Sequence, residues 1–353
     1  MRNIMIRVWN GEARLARWLL YIPLAALSYL YQIGLMAREY MYRTGFMKTQ
    51  AAPIPVVSVG NITLGGTGKT PVVERLSLRF KEKGFNPGII TRGYMRKKDG
   101  TFPVDIKSDT AETAGDEAYM LAKKTHIPVI VGNDRMSAIE CGMDDCRIDM
   151  AILDDGFQVR DLKKDVDILI LNGKESLGRH ELFPLGPYRE PVGRVRSSDT
   201  ILINKAEPDS VTLYFTRGIP KFQMSYRPAH LYNVKKDLIA HYNFLKNRRT
   251  LAFSGLGDNQ SFFQLLRRIG ADVVHEMPYP DHHRYTQRDL RRMETVDNID
   301  CIVTTEKDAV KLSGMEIPEN LFYLSIDISI ENEDELMDLL LKKIGTRSPD
   351  RLA

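Results

Sequence analysis

Hydrophobic residues in this chain fall into short unbroken runs separated by amphipathic stretches, and the alternation persists along most of its length. The runs at 56–60, 86–94, 127–131, 148–153, 166–171 and 200–203 read as strands buried on both faces, since a half-exposed strand would alternate apolar with polar residues. Segments 70–76, 115–126 and 134–146 carry helical spacing between them. Strands alternating with helices predict a parallel sheet covered on both sides. From 209 to 249 the pattern loosens into aromatic and basic stretches with no helical period, which reads as a linking hairpin region. A second alternating set then follows, with strands near 251–254, 272–275, 301–304 and 321–325 and helices near 259–269, 287–296 and 334–344.

The amino end is different. Positions 18–37 contain no charged residue and are rich in Leu, Ile, Ala and Tyr, long enough to cross a bilayer. Arg2, Arg7, Arg14 and Arg17 precede the stretch while Arg38, Arg43 and Lys48 follow it, so no inside/outside charge asymmetry fixes an orientation. Asn10, Arg14, Arg17, Tyr21, Ser28, Gln32 and Glu39 fall near one helical stripe, which predicts an amphipathic helix lying in the membrane interface. A buried core helix is the competing reading. A cleaved export signal is disfavoured by what lies downstream.

Residues 56–70 read VVSVGNITLGGTGKT, an apolar strand breaking into glycines and ending Gly68-Lys69-Thr70. Thr63, Leu64, Gly65, Gly66, Thr67, Gly68, Lys69 and Thr70 have the makings of a nucleotide grip. Glycines let successive backbone N–H groups face phosphate oxygens, Lys69 neutralises β/γ charge, and the Thr70 hydroxyl is suited to Mg²⁺. Thr63 stands where the general pattern has glycine. The expected fold class is therefore α/β: a P-loop NTPase-type parallel sheet with a second, smaller α/β lobe and an N-terminal membrane-associated helix. The expected division is 1–50 for the helical segment, 51–208 for the P-loop lobe, 209–249 for the linker and 250–353 for the smaller lobe.

Charge narrows the partners. Fifty Lys+Arg against 46 Asp+Glu leave a net +4 with no long basic run, so no nucleic-acid footprint is expected. No obligate protein partner is expected either. Cys141, Cys146 and Cys301 are too few and too scattered for a disulfide framework or a zinc site, which suits a reducing compartment.

Several segments carry candidate chemistry. The apolar run at 148–153 ends in Asp154-Asp155-Gly156, placing acids at the carboxyl end of a strand, where a Walker-B-type Asp holds the metal or its water. Gly115-Asp116-Glu117 opens a helix and by itself is ordinary capping. In Tyr279-Pro-Asp281-His282-His283-Arg284-Tyr285 the adjacent histidines diverge, which argues against a two-histidine metal site, and on its own the segment reads as a polar surface loop. Pro187-Tyr188-Arg189-Glu190-Pro191 is a proline-bracketed turn whose Arg189 is suited to gripping phosphate bidentately. Ser254-Gly-Leu-Gly257 lacks the third glycine of a dinucleotide fingerprint, and Thr305-Glu-Lys307-Asp308 reads as a structural capping box.

In order, VGNITLGGTGKTP, TRGY, GDE, LDDGFQ, PYREP, DHHRY and TTEKDAVK behind an apolar helix resemble the tetraacyldisaccharide 4′-kinases of lipid A biosynthesis, over nearly the whole chain. The resemblance implies ATP-dependent transfer to the 4′-hydroxyl of a tetraacylated glucosamine disaccharide 1-phosphate, forming lipid IVA at the cytosolic face of the bacterial inner membrane. It also implies ATP and Mg²⁺ as cofactors, a two-stranded linker and a catalytic cleft between lobes. By motif, Lys69 and Thr70 attend the phosphates and metal, and Asp116 is the base, paired with His282. Glu117, Asp154 and Asp155 surround the metal, and Arg189 and Glu190 lie near the substrate. The alternative is a membrane-associated switch ATPase of the partitioning or metal-insertion type, but such loops usually carry a second lysine where Leu64 stands.

Overall fold

A computed structural model describes residues 14–65, 68–178, 181–204, 207–236 and 239–347. Arg2, Arg7, Asn10, Gly66 and Thr67 lie outside the described residues. Helix α1 (Arg14–Arg43) leads to β1 (Val56–Gly60), α2 (Lys69–Glu82), β2 (Pro87–Thr91), the edge strand β3 (Phe102–Pro103), α3 (Ala111–Ala114), α4 (Asp116–Thr125), β4 (Val129–Val131), α5 (Arg135–Cys146), β5 (Met150–Asp154), β6 (Val166–Asn172) and β7 (Thr200–Asn204). Next come α6 (Ser210–Phe215), β8 (Lys221–Asn233), β9 (Ile239–His241), β10 (Arg249–Ser254), α7 (Asn259–Arg268), β11 (Asp272–Pro278), α8 (Gln287–Glu294), β12 (Cys301–Thr305), α9 (Glu306–Ala309), β13 (Leu321–Ile330) and α10 (Glu333–Arg347).

The thirteen strands form one sheet in the order β11-β10-β12-β13-β8-β7-β6-β1-β5-β2-β4-β3, with β9 beside β8. Around β1 every pairing is parallel, and β1, β2, β4, β5 and β7 are buried at every position, as their unbroken apolar runs require. Helix α2 packs Val72, Val73, Leu76 and Phe80 against this sheet in a core shared with α4 and α10. β10, β12 and the start of β13 form the parallel centre of the smaller lobe.

The stretch 209–249 holds a short hairpin, β8 with β9, paired antiparallel from His230↔His241 to Tyr232↔Ile239. The ribbon that joins the lobes is made by β8 and β13, paired antiparallel from Met224↔Ile330 to Asn233↔Phe322. The foot of β8 joins β7 while the start of β13 joins β12. Among the described residues, 225–228 pair only with 326–329, so the sheet is two strands wide there. The apolar pattern of 321–325 continues as Ile326-Asp-Ile-Ser-Ile330, an alternation that suits a ribbon. Helix α10 then returns to the first lobe, burying Leu336, Met337, Leu340 and Ile344 in the core under α2, so this stretch of 250–353 packs with the P-loop lobe.

Helix α1 is not a core helix. Ile22, Tyr29, Leu30, Met36 and Tyr40 are at least 63% exposed, whereas Leu35 and Ser28 are buried. The stripe that docks on the protein is Ser28, Tyr31, Leu35 and Arg38: the Ser28 hydroxyl donates to the Leu182 carbonyl at 2.9 Å, Tyr31 to the Arg189 carbonyl at 2.8 Å, and Arg38 to Glu190 at 2.6 Å. Of the polar stripe drawn from the sequence, Ser28 lies on this docking stripe and Glu39 pairs with Arg160 beside it. Periodicity finds polar positions but does not say whether water or the protein's own turn satisfies them.

Candidate active site

The loop after β1 is tied down before it reaches its helix. Leu64 N–H donates to the Pro187 carbonyl at 2.7 Å and Arg189 N–H to the Ile62 carbonyl at 2.8 Å, while Thr63 pairs with Tyr188. The Pro-Tyr-Arg-Glu-Pro turn is thus a short strand-like strap along the loop. Gly68 takes φ +83°, and a Cβ there would collide with the Tyr226 hydroxyl from the linker ribbon, so two independent demands call for glycine. Thr70 follows Lys69 in the first turn of α2. Gly65 and Leu64 lie exposed at the loop's outer edge.

Strand β5 delivers its acids beside this loop, with Asp154 in register with Val59. Lys69 Nζ lies 3.5 Å from Asp155 Oδ1 and 3.4 Å from Asn61 Oδ1. Arg189 grips both oxygens of Asp155, at 2.8 Å each, and also donates to Asn61. Burial opposes ionisation of Asp155, but the Arg189 hydrogen bonds and the Lys69 charge overcome it and hold the carboxyl well below its usual range. Asp154 is the opposite case. Its side chain is buried, Oδ1 has no hydrogen-bond partner among the described residues, and burial together with Glu117 and Asp155 pushes the carboxyl up to about 7. Adjacent residues on one turn therefore have opposite electrostatics.

Across the cleft, Gly115 lets α4 begin where it does: its φ is +96°, and a Cβ would stand 3.0 Å from the backbone of Gly93. This contact joins the Thr-Arg-Gly-Tyr and Gly-Asp-Glu motifs. Asp116 Oδ2 then meets His282 Nδ1 at 3.2 Å, the Tyr94 ring lies 5.0 Å from the imidazole, and Lys311 Nζ stands 3.8 Å from the same carboxylate. His282 sits in a left-handed turn at φ +58°, while His283 stacks on Tyr279 and faces Asp289, a packing role. The loop after β11 therefore forms part of the cleft, unlike the plain surface loop its residues suggest in isolation.

Lys307, read from the sequence as part of a cap, reaches into this cleft. Thr305 does cap α9, accepting from Asp308 N–H at 3.1 Å. Lys307 Nζ lies 2.9 Å from Glu117 Oε1, 3.3 Å from His282 Nε2 and 3.5 Å from Asp281 Oδ1. Burial works against its charge, yet Glu117 and Asp281 outweigh it and raise the ammonium above the ordinary lysine value. The only signal for it in the sequence is the Thr-Thr-Glu-Lys-Asp-Ala-Val-Lys run of the family resemblance, which names no partner.

The tetraacyldisaccharide-1-P 4′-kinase family matches residues 20–345. The chain belongs to that family. Its relatives include the tetraacyldisaccharide 4′-kinase of Shewanella loihica, 34% identical over 97% of this chain and 98% of the relative, and that of Aquifex aeolicus, 35% identical over 89% and 96%. The crystal structure of the "apo" form of LpxK from Aquifex aeolicus in complex with ATP superposes with a TM-score of 0.78 at 34% identity, covering 92% of this chain and 99% of that one.

As in any kinase acting on an anionic acceptor, anion sites matter. Beside α1 lies a cleft of about 170 Å³ lined by Arg38, Arg92, Arg135 and Arg160 with Tyr42 and Gln158. Burial chiefly, and the neighbouring Arg92 after it, lower Arg135 to about 10. Glu190 is buried between Arg38 and Arg160, where it anchors α1. It therefore faces the helix and not the loop.

Proposed function

We propose that this chain transfers the γ-phosphate of ATP to the 4′-hydroxyl of a tetraacylated glucosamine disaccharide 1-phosphate, giving lipid IVA. The observation that supports the reading is that Asp154 feels the charge of both Lys69 at the phosphate loop and Glu117, the neighbour of Asp116 in the Asp116–His282 pair supplied by two lobes. Phosphoryl transfer needs positioning and charge neutralisation more than covalent help. Lys69 exchanges Asn61 and Asp155 for the β/γ-phosphate oxygens. Arg189 keeps Asp155 ionised meanwhile, so that Lys69 is poised at the loop. Asp116 accepts the proton of the sugar hydroxyl as that oxygen bonds to phosphorus and the bond to ADP breaks, with His282 orienting the carboxylate.

Among the described residues no three His, Cys, Asp or Glu side chains are grouped to hold a metal unaided. That suits Mg²⁺, which binds through one or two protein ligands plus substrate phosphates. Asp154, with its unpartnered oxygen and raised carboxyl, fits a cation, and the Thr70 hydroxyl is the second ligand. Asp155, which accepts from Arg189 at both oxygens, and Glu117, whose Oε1 accepts from Lys307, stand beside this position and keep lone pairs for the metal or its waters. When bound, Mg²⁺ neutralises charge on the β/γ-phosphates. The four-arginine cleft receives the 1-phosphate of the acceptor. Helix α1 lays its exposed apolar face into the cytosolic leaflet, bringing the cleft to a substrate that four acyl chains keep in the bilayer.

The test is transfer of labelled γ-phosphate to the acyl disaccharide 1-phosphate in detergent, beside ATP hydrolysis without lipid. Acceptor-dependent turnover supports the kinase. Lipid-indifferent hydrolysis with no labelled lipid would support the switch-ATPase alternative.

A further inference from the structure

We propose that Lys307 is a positioning residue for phosphoryl transfer: it fixes His282 as the Nδ1–H tautomer and thereby sets the hydrogen bond that orients the Asp116 carboxylate. The inference rests on the kinase reading of the cleft but is argued from donors and acceptors alone. A lysine ammonium has three donors and no acceptor. Its 3.3 Å approach to His282 Nε2 therefore requires a lone pair on that nitrogen. The competing partner for Nε2 is Asp281 Oδ1 at 3.8 Å, too far for a hydrogen bond. At the other nitrogen, Asp116 Oδ2 stands 3.2 Å from Nδ1, and an ionised carboxylate only accepts. The two contacts agree on one neutral ring, with the proton on Nδ1 and directed at Asp116.

The remaining Lys307 contacts explain why it is reliable in this task. Glu117 Oε1 at 2.9 Å belongs to α4, immediately after Asp116, whereas Lys307 belongs to α9 of the smaller lobe. Asp281 precedes His282 on a third segment. One ammonium thus spans the base-bearing helix, the imidazole and its loop. Lys307 and His282 both belong to the smaller lobe, so separation across the two-stranded ribbon would part the two of them together from Glu117 and Asp116.

The experiment is long-range ¹H–¹⁵N correlation of the histidine side chains in the full-length, ¹⁵N-histidine-labelled protein in detergent, with the His282 signal assigned by its loss in His282→Asn. Wild-type His282 should show a protonated-type Nδ1 and a bare-type Nε2. Lys307→Met should abolish that pattern and lower kcat on the order of 10²-fold, with KM for ATP within about twofold. Lys307→Arg, which keeps the donors, should retain the pattern. A wild-type ring protonated on Nε2, or a Lys307→Met ring with unchanged nitrogens, overturns the proposal. The wild-type spectrum decides even if the methionine variant does not fold. Failure of the kinase reading would instead appear as absent lipid phosphorylation with the tautomer intact.

Discussion

Replacing Asp154 by asparagine should make the metal-free protein more stable while disabling transfer. The carboxyl rises from 3.8 to about 7 in the fold, first by burial and then by the charges of Glu117 and Asp155. Below about pH 4 it is protonated folded and unfolded alike and contributes nothing. Between 4 and 7 the unfolded chain releases a proton that the fold retains, so stability falls as pH rises. Above 7 the full cost is present: an interval of 3.8 to about 7, at about 1.36 kcal/mol per pH unit, is roughly 4 kcal/mol. Asparagine escapes this charge cost but leaves an amide incompletely bonded, a penalty of about 1–3 kcal/mol. The net expectation is a gain on the order of 1–3 kcal/mol at pH 8 in EDTA, vanishing or reversing at pH 5. Denaturant unfolding at the two pH values measures it, and lipid phosphorylation with Mg²⁺ should fall at least about 10²-fold. An asparagine variant less stable than wild type at pH 8, by the same margin as at pH 5, would refute the idea that this carboxylate is held at a cost for a cation.

Other expectations follow from the same contacts. Lys124 ties Glu74 of α2 and Glu306 of α9, at 3.0 Å each, so Lys124→Met should destabilise by about 3–5 kcal/mol. Burial already pushes Glu74 up to about 7, and loss of Lys124 raises it further; that deficit should therefore be greatest at pH 8 and shrink as pH falls toward 5, as read by unfolding curves. Arg92→Ala, at an exposed position lining the four-arginine cleft, should raise KM for the phosphorylated acceptor about 10-fold and leave KM for ATP alone; equal effects on an acceptor lacking the 1-phosphate would exclude a phosphate contact. Leu30→Glu with Met36→Glu, both 63% exposed, should abolish co-sedimentation with phospholipid vesicles without lowering stability, since each buried apolar chain contributes about 1.5–3 kcal/mol to insertion.

The legible parts of the sequence were those whose signal is local. Unbroken apolar runs marked the central strands because both faces are covered, and the Gly-Lys-Thr ending marked the loop because its chemistry is contiguous. The Asp116–His282 contact joins positions 166 residues apart and is invisible to periodicity. It came only through family resemblance. Lys307 was hidden for a related reason: a capping pattern explains its neighbours completely, and nothing local tells that its side chain crosses to Glu117. The β8–β9 hairpin within 209–249 is local, whereas the second strand of the ribbon lies some ninety residues after the first, beyond any hairpin signal. Arg189 and Glu190 are adjacent yet serve different sites, as strand-like neighbours pointing to opposite sides do.

The central claim is that Asp116 takes the proton of the acceptor hydroxyl while the loop holds ATP. Single-turnover transfer from labelled ATP to the acyl disaccharide 1-phosphate by Asp116→Asn, with ATP affinity measured on the same preparation, tests it most directly. A rate reduced about 10²–10⁴-fold at unchanged ATP affinity is expected; transfer at the wild-type rate would contradict it.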